Sequence, residues 1–401
     1  MTDIFTPALL SADDEVAVEE IQAMRRELSQ VVRAPRRWQG TLRRAAQAKA
    51  IRGSNSIEGY VVGVEDAVAA VDNEPALTAD QQTWAEIMGY RRVLAYVLNV
   101  ATAPGFKLDE GIIQSMHFML LEHELNKSPG LYRQGPVFVT SERGQEYAAP
   151  DAALVPDLMR ALVRQVGESR GPALVTAALA HLNLVMIHPF RDGNGRMGRA
   201  LQTLVLAKDH VLEPAFSSIE EWLGANTDAY YSVLAATGAG GWHPDRSTQL
   251  WIRFNLRAHH MQAQTVRRRF NDADNQWRLL DDLATEHRLP ARVEDPLFEA
   301  LLGFRVTRPT YMSRGEVDAR QATRDLGRLS DLGLLTAHGQ TKGRYYTAGP
   351  VLLAVRDEVR ARRQPLSDPY PDLVATIAGV EAALRQARPT TGPATGDVLV
   401  S

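Results

Sequence analysis

Between residues 15 and 273 the spacing of apolar residues clearly leaves the helical period at one place only, which restricts the chain to a largely helical architecture. Helical patterns cover 15–50, with an interruption at Arg33 to Pro35, then 81–100, 109–125, 157–167, 174–187, 196–209, 218–234 and 247–273. A polar stretch, Arg52-Gly53-Ser54-Asn55-Ser56, is expected to break the helix that precedes it. The exception in period is 135–149, where Pro136 to Thr140, a Ser141-Glu142-Arg143-Gly144 turn and Gln145-Glu146-Tyr147 predict a short β-hairpin. An isolated hairpin needs a helical surface to lean on. The expected class is mainly α: a helical bundle with a short β-hairpin.

At 401 residues the chain suggests two or three domains. After Leu289-Pro290 shorter segments and more frequent turn residues follow, and 310–335 reads as two short helices ahead of two strands in 334–347. That order predicts a small C-terminal winged helix-turn-helix domain over 290–350. The expected division places an N-terminal helical region at 1–100, a core at 101–275 and a mobile tail at 364–401, rich in Pro, Ser and Thr. The net charge, 45 − 48 = −3, gives no global pull toward nucleic acid or an anionic membrane. With no cysteine, the chain has no disulfides, thiolate catalysis or cysteine zinc sites, and a reducing compartment is expected. The first twenty residues lack a cationic leader pattern, and the apolar stretch 173–187 is shorter than the ~20 residues that span a bilayer. A soluble, cytoplasmic protein with no membrane partner is expected.

The chemistry concentrates in His188-Pro189-Phe190-Arg191-Asp192-Gly193-Asn194-Gly195-Arg196-Met197-Gly198-Arg199, between two helical patterns. Glycines on both sides of Asn194 allow a tight turn whose amides point inward, and the next helix adds the positive end of its dipole. Phosphate is the natural ligand. Arg196 and Arg199, three apart, share a helix face and can hold successive phosphates. Asp192 faces them as a carboxylate suited to Mg²⁺, which takes few protein ligands beside phosphate oxygens. His188 is the nearby group whose ordinary pKa, ~6.5, suits a general base. A lone histidine at a helix end usually caps or packs, and Gly-Asn-Gly is a common turn; their ordered combination points to a site. The Gly-Lys-Ser/Thr ending of a P-loop is absent.

This segment resembles the Fic family signature, His-x-Phe-x-Asp/Glu-Gly-Asn-Gly-Arg-x-x-Arg, at every fixed position, and similar texture runs from roughly 45 to 258. It includes Gly130-Leu131-Tyr132-Arg133 and Ala229-Tyr230-Tyr231. The resemblance implies a Fic helical bundle that transfers AMP from ATP to a Ser, Thr or Tyr hydroxyl of a protein, its own included, releasing pyrophosphate. By the same resemblance His188 is the base, Asp192 binds Mg²⁺, and Gly193, Asn194, Gly195, Arg196, Met197, Gly198 and Arg199 hold the phosphates. The hairpin is similar to the family's flap, so Val137, Phe138, Val139 and Thr140 border nucleotide and target, where an extended segment adds to the strand. Tyr230 occupies a position that contacts nucleotide in relatives, whereas Gly238 stands where they carry Asn. Phe190 is expected to anchor the loop.

Ser54-Asn55-Ser56-Ile57-Glu58-Gly59 fits the family's inhibitory pattern, Ser/Thr-x-x-x-Glu-Gly/Asn. A serine followed a turn later by glutamate is also an ordinary helix cap. The resemblance implies that Ser54, Glu58 and Gly59 form an inhibitory motif in which Glu58 pairs with Arg199 and displaces the γ-phosphate. In some relatives the same glutamate directs water to remove AMP. Transfer of another nucleotide, AMP removal and a nucleotide-sensing transcriptional or scaffold role are the alternatives.

Residues 305–344 hold eight Lys and Arg (305, 308, 314, 320, 324, 328, 342, 344) against four acids (316, 318, 325, 331), a local +4. Arg320, Arg324 and Arg328 form a helical stripe suited to a phosphate backbone or to solvent, although Asp318 and Asp325 would interrupt it. Contact with DNA or protein is expected through 305–346. His117 and His123, with Glu122 and Glu124, lack zinc-helix spacing, and His259-His260 has no carboxylate partner in view, so no structural zinc is expected. The sequence leaves the target, the signal that relieves Glu58 and homo-oligomerisation open.

Overall fold

A computed structural model describes residues 3–101, 103–140, 146–340 and 343–387. The chain begins with α1 (Ala12–Arg33), α2 (Gln39–Ile57), α3 (Val64–Asp72), α4 (Gln81–Val100) and α5 (Glu110–Leu121). The hairpin β1 (Phe138–Thr140) and β2 (Glu146–Ala148) precedes α6 (Val155–Glu168), α7 (Ala173–Ile187) and α8 (Asn194–Ala207). Three short helices, α9 (Pro214–Ser217), α10 (Glu220–Ala225) and α11 (Thr227–Gly238), lead into the 38-residue α12 (Gln249–Glu286). Then come α13 (Glu294–Leu301), β3 (Val306–Thr307), α14 (Arg308–Gly315), α15 (Ala319–Asp331), β4 (Leu335–His338), β5 (Tyr345–Ala348), α16 (Pro350–Ala361) and α17 (Leu373–Ala387). The hairpin pairs antiparallel, Val139 opposite Tyr147, and the second sheet has the order β3-β5-β4. No helix among the described residues is long and apolar enough to cross a membrane.

Helix α7 is apolar around most of its circumference because other helices surround it, and α8 lies against it. Gly198 permits that approach, since a Cβ there would lie 2.6 Å from His181 Cδ2 and 2.8 Å from Val185 Cγ2. The indole N–H of Trp251, on α12, donates to the Ala178 carbonyl and ties α12 to the same central helix.

The polar stretch 52–56 does not break the chain as expected: α2 continues to Ile57. Asn55 donates to the Ile51 carbonyl and Ser56 to the Gly53 carbonyl, so these side chains are satisfied within the helix. Gly53 also has a packing reason. Its Cβ would meet the Glu220 carbonyl oxygen at 2.4 Å, and a Cβ on Gly224 would lie 2.7 Å from Gly53 Cα, so α2 and α10 touch backbone to backbone. Instead of one helix over 218–234, α10 and α11 are separated at Asn226 (φ −130°), whose side chain donates to the Trp222 carbonyl.

A second apolar cluster crosses the change of texture at 290, joining Trp38 just before α2, Leu42 of α2, Phe270 of α12 and Phe298 of α13 to Leu326, Leu329 and Tyr346. Ion pairs accompany it. Arg37, just before α2, pairs with Glu294 and Asp295, Arg44 joins Asp72 to Glu299, and Arg305 reaches Glu65 of α3. The mobile tail expected over 364–401 is corrected for its described part. Residues 364–387 are packed, because Asp368 pairs with Arg257, the Tyr370 hydroxyl donates to Asp14, and Leu373 and Ile377 enter the main core. Residues 388–401 and the hairpin turn 141–145 lie outside the described residues.

Gly53→Ala should lower stability by about 1–3 kcal/mol, since the backbones of α2 and α10 must separate to admit a methyl group. Urea unfolding of this variant against wild type checks it, and an unchanged midpoint would contradict the backbone contact.

Candidate active site

His188 terminates α7 in a left-handed conformation, φ 51° and ψ 58°, uncommon for a residue with a Cβ. Contacts on its backbone impose this geometry. The guanidinium of Arg133 donates through Nε to the His188 carbonyl (2.8 Å) and through its other nitrogens to Gly135, Pro150 and Ile187 carbonyls, while the Arg133 amide donates to Pro189 (2.9 Å). His188 Nδ1 lies 3.3 Å from the Val185 carbonyl, which can only accept, so Nδ1 carries the proton and Nε2 keeps a lone pair. Burial pushes the imidazole down to about 4, with Arg133 adding to the effect, so it is a neutral base near neutral pH.

The loop beyond is clamped from beneath. Asn194 accepts from the Phe190 amide (3.0 Å) and donates to its carbonyl (2.9 Å), and the buried Phe190 ring stacks on His117 at 3.7 Å. The Gly130 amide donates to His117 Nδ1, which leaves Nε2–H to donate to the Asp192 carbonyl at 3.0 Å. Gly193 takes φ +74° as the cap of α8 and has no room for a Cβ, which would lie 2.9 Å from Leu120.

Both arginines of the first turns of α8 are buried. Arg196 pairs with the fully buried Glu86 of α4 and faces the Tyr60 ring at 5.3 Å. Arg199 donates to Ser54 Oγ (2.8 Å), to the Ser54 carbonyl (3.0 Å) and to Glu58 Oε1 (2.6 Å). Burial opposes the Arg199 charge, but Glu58 outweighs it and raises the pKa. Glu58 caps α2, and Gly59 behind it takes φ +85°. Its carboxylate occupies the space above Gly195, where an added Cβ would meet Oε1 at 2.4 Å. Arg199 Nη1 and Arg196 Nε, both buried, have no hydrogen-bond partner among the described residues, as expected of a site built for an anion.

Residues 107–206 match the Fic/DOC family. The matched stretch contains the whole His188-to-Arg199 loop. Its similarity to the protein adenylyltransferase Fic of Nematostella vectensis is 28% identity over 166 residues, 39% of this chain and 36% of that protein. With a Fido domain-containing protein of Dictyostelium discoideum it shares 42% over 85 residues, 20% of this chain and 54% of that one. The chain thus spans about half or less of the length of these curated relatives. The crystal structure of a Fic family protein from Desulfovibrio desulfuricans superposes with a TM-score of 0.53 at 22% identity, covering 86% of this chain and 99% of that one, a likeness of fold.

The residues singled out from sequence divide by what they touch. His188, Asp192, Gly193, Gly195, Arg196 and Arg199 converge on one cradle, with Ser54 and Glu58 against it. Asn194, Met197 and Gly198 face inward, to the loop, the core and α7, and the Met197 amide is taken by the Gly193 carbonyl. The Tyr230 hydroxyl donates to His181 Nε2 at 2.9 Å in the core; His181 Nδ1 donates to Gln202. A side chain at Gly238 would lie within 3.2 Å of Met186 and Tyr147, so no side-chain base contact fits there. Phe138, which is exposed, and Val139 lie in β1 with Val137 just before it, and the Tyr147 hydroxyl donates to the Met186 carbonyl and so anchors the hairpin. Thr140 ends β1.

Sequence reasoning missed Glu86, Lys127 and His117. Lys127 Nζ lies 2.5 Å from Asp192 Oδ2. Burial raises the Asp192 pKa, but Lys127 and Arg196 outweigh it and hold the carboxyl below its usual range. No spacing links these residues to the motif, although the Gly130-to-Arg133 segment lies close in sequence to Lys127 and His117. His260 does have a carboxylate partner, Glu20 at 2.8 Å from α1, contrary to expectation.

Burial pushes His117 and His188 to about 4 and His181 and His259 to about 3, from an ordinary 6.5. The stability this confers is full above the unfolded value near 6.5 and is lost as pH falls toward 3–4, because the unfolded chain takes up protons that the folded one refuses. Stability, and with it the urea midpoint, should therefore fall between about pH 7 and pH 5, by on the order of a few kcal/mol in total. Equal midpoints in urea at the two pH values would contradict neutral buried imidazoles.

Proposed function

We propose that the protein transfers AMP from ATP to a hydroxyl of a protein and restrains itself through Glu58. The observation that carries this reading is the meeting, at the α7–α8 loop, of His188 with an unprotonated Nε2, a glycine cradle and two arginines with unpaired buried N–H groups. The relatives named protein adenylyltransferases support the same reaction. His188 Nε2 takes the proton of the target hydroxyl as its oxygen bonds to the α-phosphorus, and the bond to pyrophosphate breaks. Amides at the start of α8 and the Arg196 and Arg199 guanidiniums hold the phosphates. Asp192 would hold magnesium, which when bound supplies positive charge to the phosphate oxygens; its carboxylate at the cradle rim fits that hard cation. The hairpin offers β1 as the edge on which an extended target segment lies.

Glu58 restrains the reaction in this reading because it occupies the space above Gly195 and engages the arginine that a γ-phosphate would use. In the presence of α-labelled ATP and magnesium, Glu58→Gly should increase label transfer to protein by about tenfold or more, the order of a lost charge-assisted contact. Adding His188→Ala should reduce it by roughly 10²–10⁴, the worth of a positioned general base. Unchanged transfer in Glu58→Gly would remove the inhibitory role; retained transfer in the double variant would remove the base.

Residues 290–350 we read as a winged helix-turn-helix with α15 as a nucleic-acid-facing helix. Asp325, which would have interrupted the basic stripe, instead turns inward, bonded to Arg292, Tyr311 and Gln321, and Asp318 caps α15 through the Gln321 amide. Arg320, Arg324 and Arg328 are left exposed. The protein should be retained on duplex DNA in a salt-dependent way, and Arg320→Ala/Arg324→Ala should flatten the salt dependence by about two counterions. No retention at low salt would favour a protein-docking role.

A further inference from the structure

The turn Leu125–Lys127 is tied to the catalytic loop at two points: Lys127 to Asp192, and Arg191 Nη1 to the Asn126 carbonyl at 3.2 Å. Both oxygens of Asp192 are engaged, Oδ1 by the Gly193 amide at 2.6 Å and Oδ2 by Lys127 Nζ at 2.5 Å. The ammonium has a second carboxylate within reach, since Glu124 Oε2 lies 2.9 Å away and Glu124 Oε1 is held by Gln82. A cation approaching Asp192 must share Oδ2 with Lys127 or displace it toward Glu124, and two positive charges on one carboxylate oxygen repel.

The geometry points to Lys127 as the resident counter-ion of Asp192, a positioning residue that weakens divalent-cation binding until nucleotide phosphates arrive to share the charge. This rests on the proposed nucleotide and metal reading of the loop. With Lys127 on Oδ2, Asp192 is a neutralised, pre-oriented ligand rather than a free anion, so in the absence of nucleotide it does not draw a metal ion strongly. Incoming phosphates bring negative charge that offsets both cations, and Lys127 then has Glu124 to retain its hydrogen bond. Metal and nucleotide therefore enter together, and metal alone binds weakly.

Manganese titration of the full chain without nucleotide, followed by the spin-resonance signal of the free ion, tests this with no reference to catalysis. Lys127→Met should tighten the manganese dissociation constant by about tenfold or more, the order expected for removal of a like charge about 4 Å away. Lys127→Gln should do the same, so failure of one variant to fold leaves the other to decide. Lys127→Arg should remain close to wild type, and Asp192→Asn should abolish the gain when combined with Lys127→Met. Equal or weaker binding in Lys127→Met and Lys127→Gln overturns the inference, as does tightening that survives Asp192→Asn. Label transfer by Glu58→Gly is measured separately. Tighter manganese binding without any transfer keeps the counter-ion and removes the transferase reading; transfer with unchanged manganese binding does the reverse.

Discussion

Two guanidiniums buried in the first turns of α8 set the terms for the rest of the molecule. A charge taken out of water is tolerated in a helical interior only when carboxylates and carbonyls come to meet it. Arg196 therefore requires Glu86 from α4, and Arg199 requires Ser54 and Glu58 from the end of α2. These helices lie more than a hundred residues away in sequence, and their convergence on α8 places the cradle at the junction of three helices. Arg196 Nε and Arg199 Nη1 have no hydrogen-bond partner among the described residues, so the pairing balances the charge and leaves donors over for an anion.

Rigidity around that cradle comes from contacts to backbone atoms rather than from the charged groups themselves. Arg133 binds the carbonyls around His188, His117 holds the Asp192 carbonyl, and Asn194 closes the loop on Phe190. Such groups fix the left-handed His188 and thereby the direction of its free ring nitrogen. The buried imidazoles remain neutral as a consequence of the same dry surroundings, which couples the loop's geometry to acid stability.

Helix α2 is held at both ends. Its C-terminal half touches α10 backbone to backbone through Gly53 and Gly224, and its start is bound into the second apolar cluster with Trp38, Arg37 and Arg44 against the C-terminal segments. Glu58 thus stands at the end of a helix continuous with the C-terminal packing, and only the left-handed Gly59 separates it from the chain leading to α3.

Much of this was legible in the sequence because it is local. Helical periodicity, the hairpin at 138–148, and the His188-to-Arg199 loop depend on residues within a turn or two of each other, where spacing determines which side chains share a face. The polar run 52–56 misled for the converse reason: Gly53 weakens a helix on its own, and only the approach of α10 explains why a glycine is there. Asp318 and Asp325 read as a flaw in a basic stripe until packing turned Asp325 inward against Arg292 and Tyr311. The tail from 364 read as mobile because Pro, Ser and Thr flank its one Ala-rich patch, yet Asp368, Tyr370, Leu373 and Ile377 anchor it once α12, α1 and the main core present matching partners. By itself the sequence determined which residues can carry the chemistry and the helices that bear them. Tertiary structure alone decided that Glu86, Lys127 and His117 belong to the site and that Glu58 lies over Gly195, because the pairing of buried charges depends on distances across the fold that no spacing along the chain encodes.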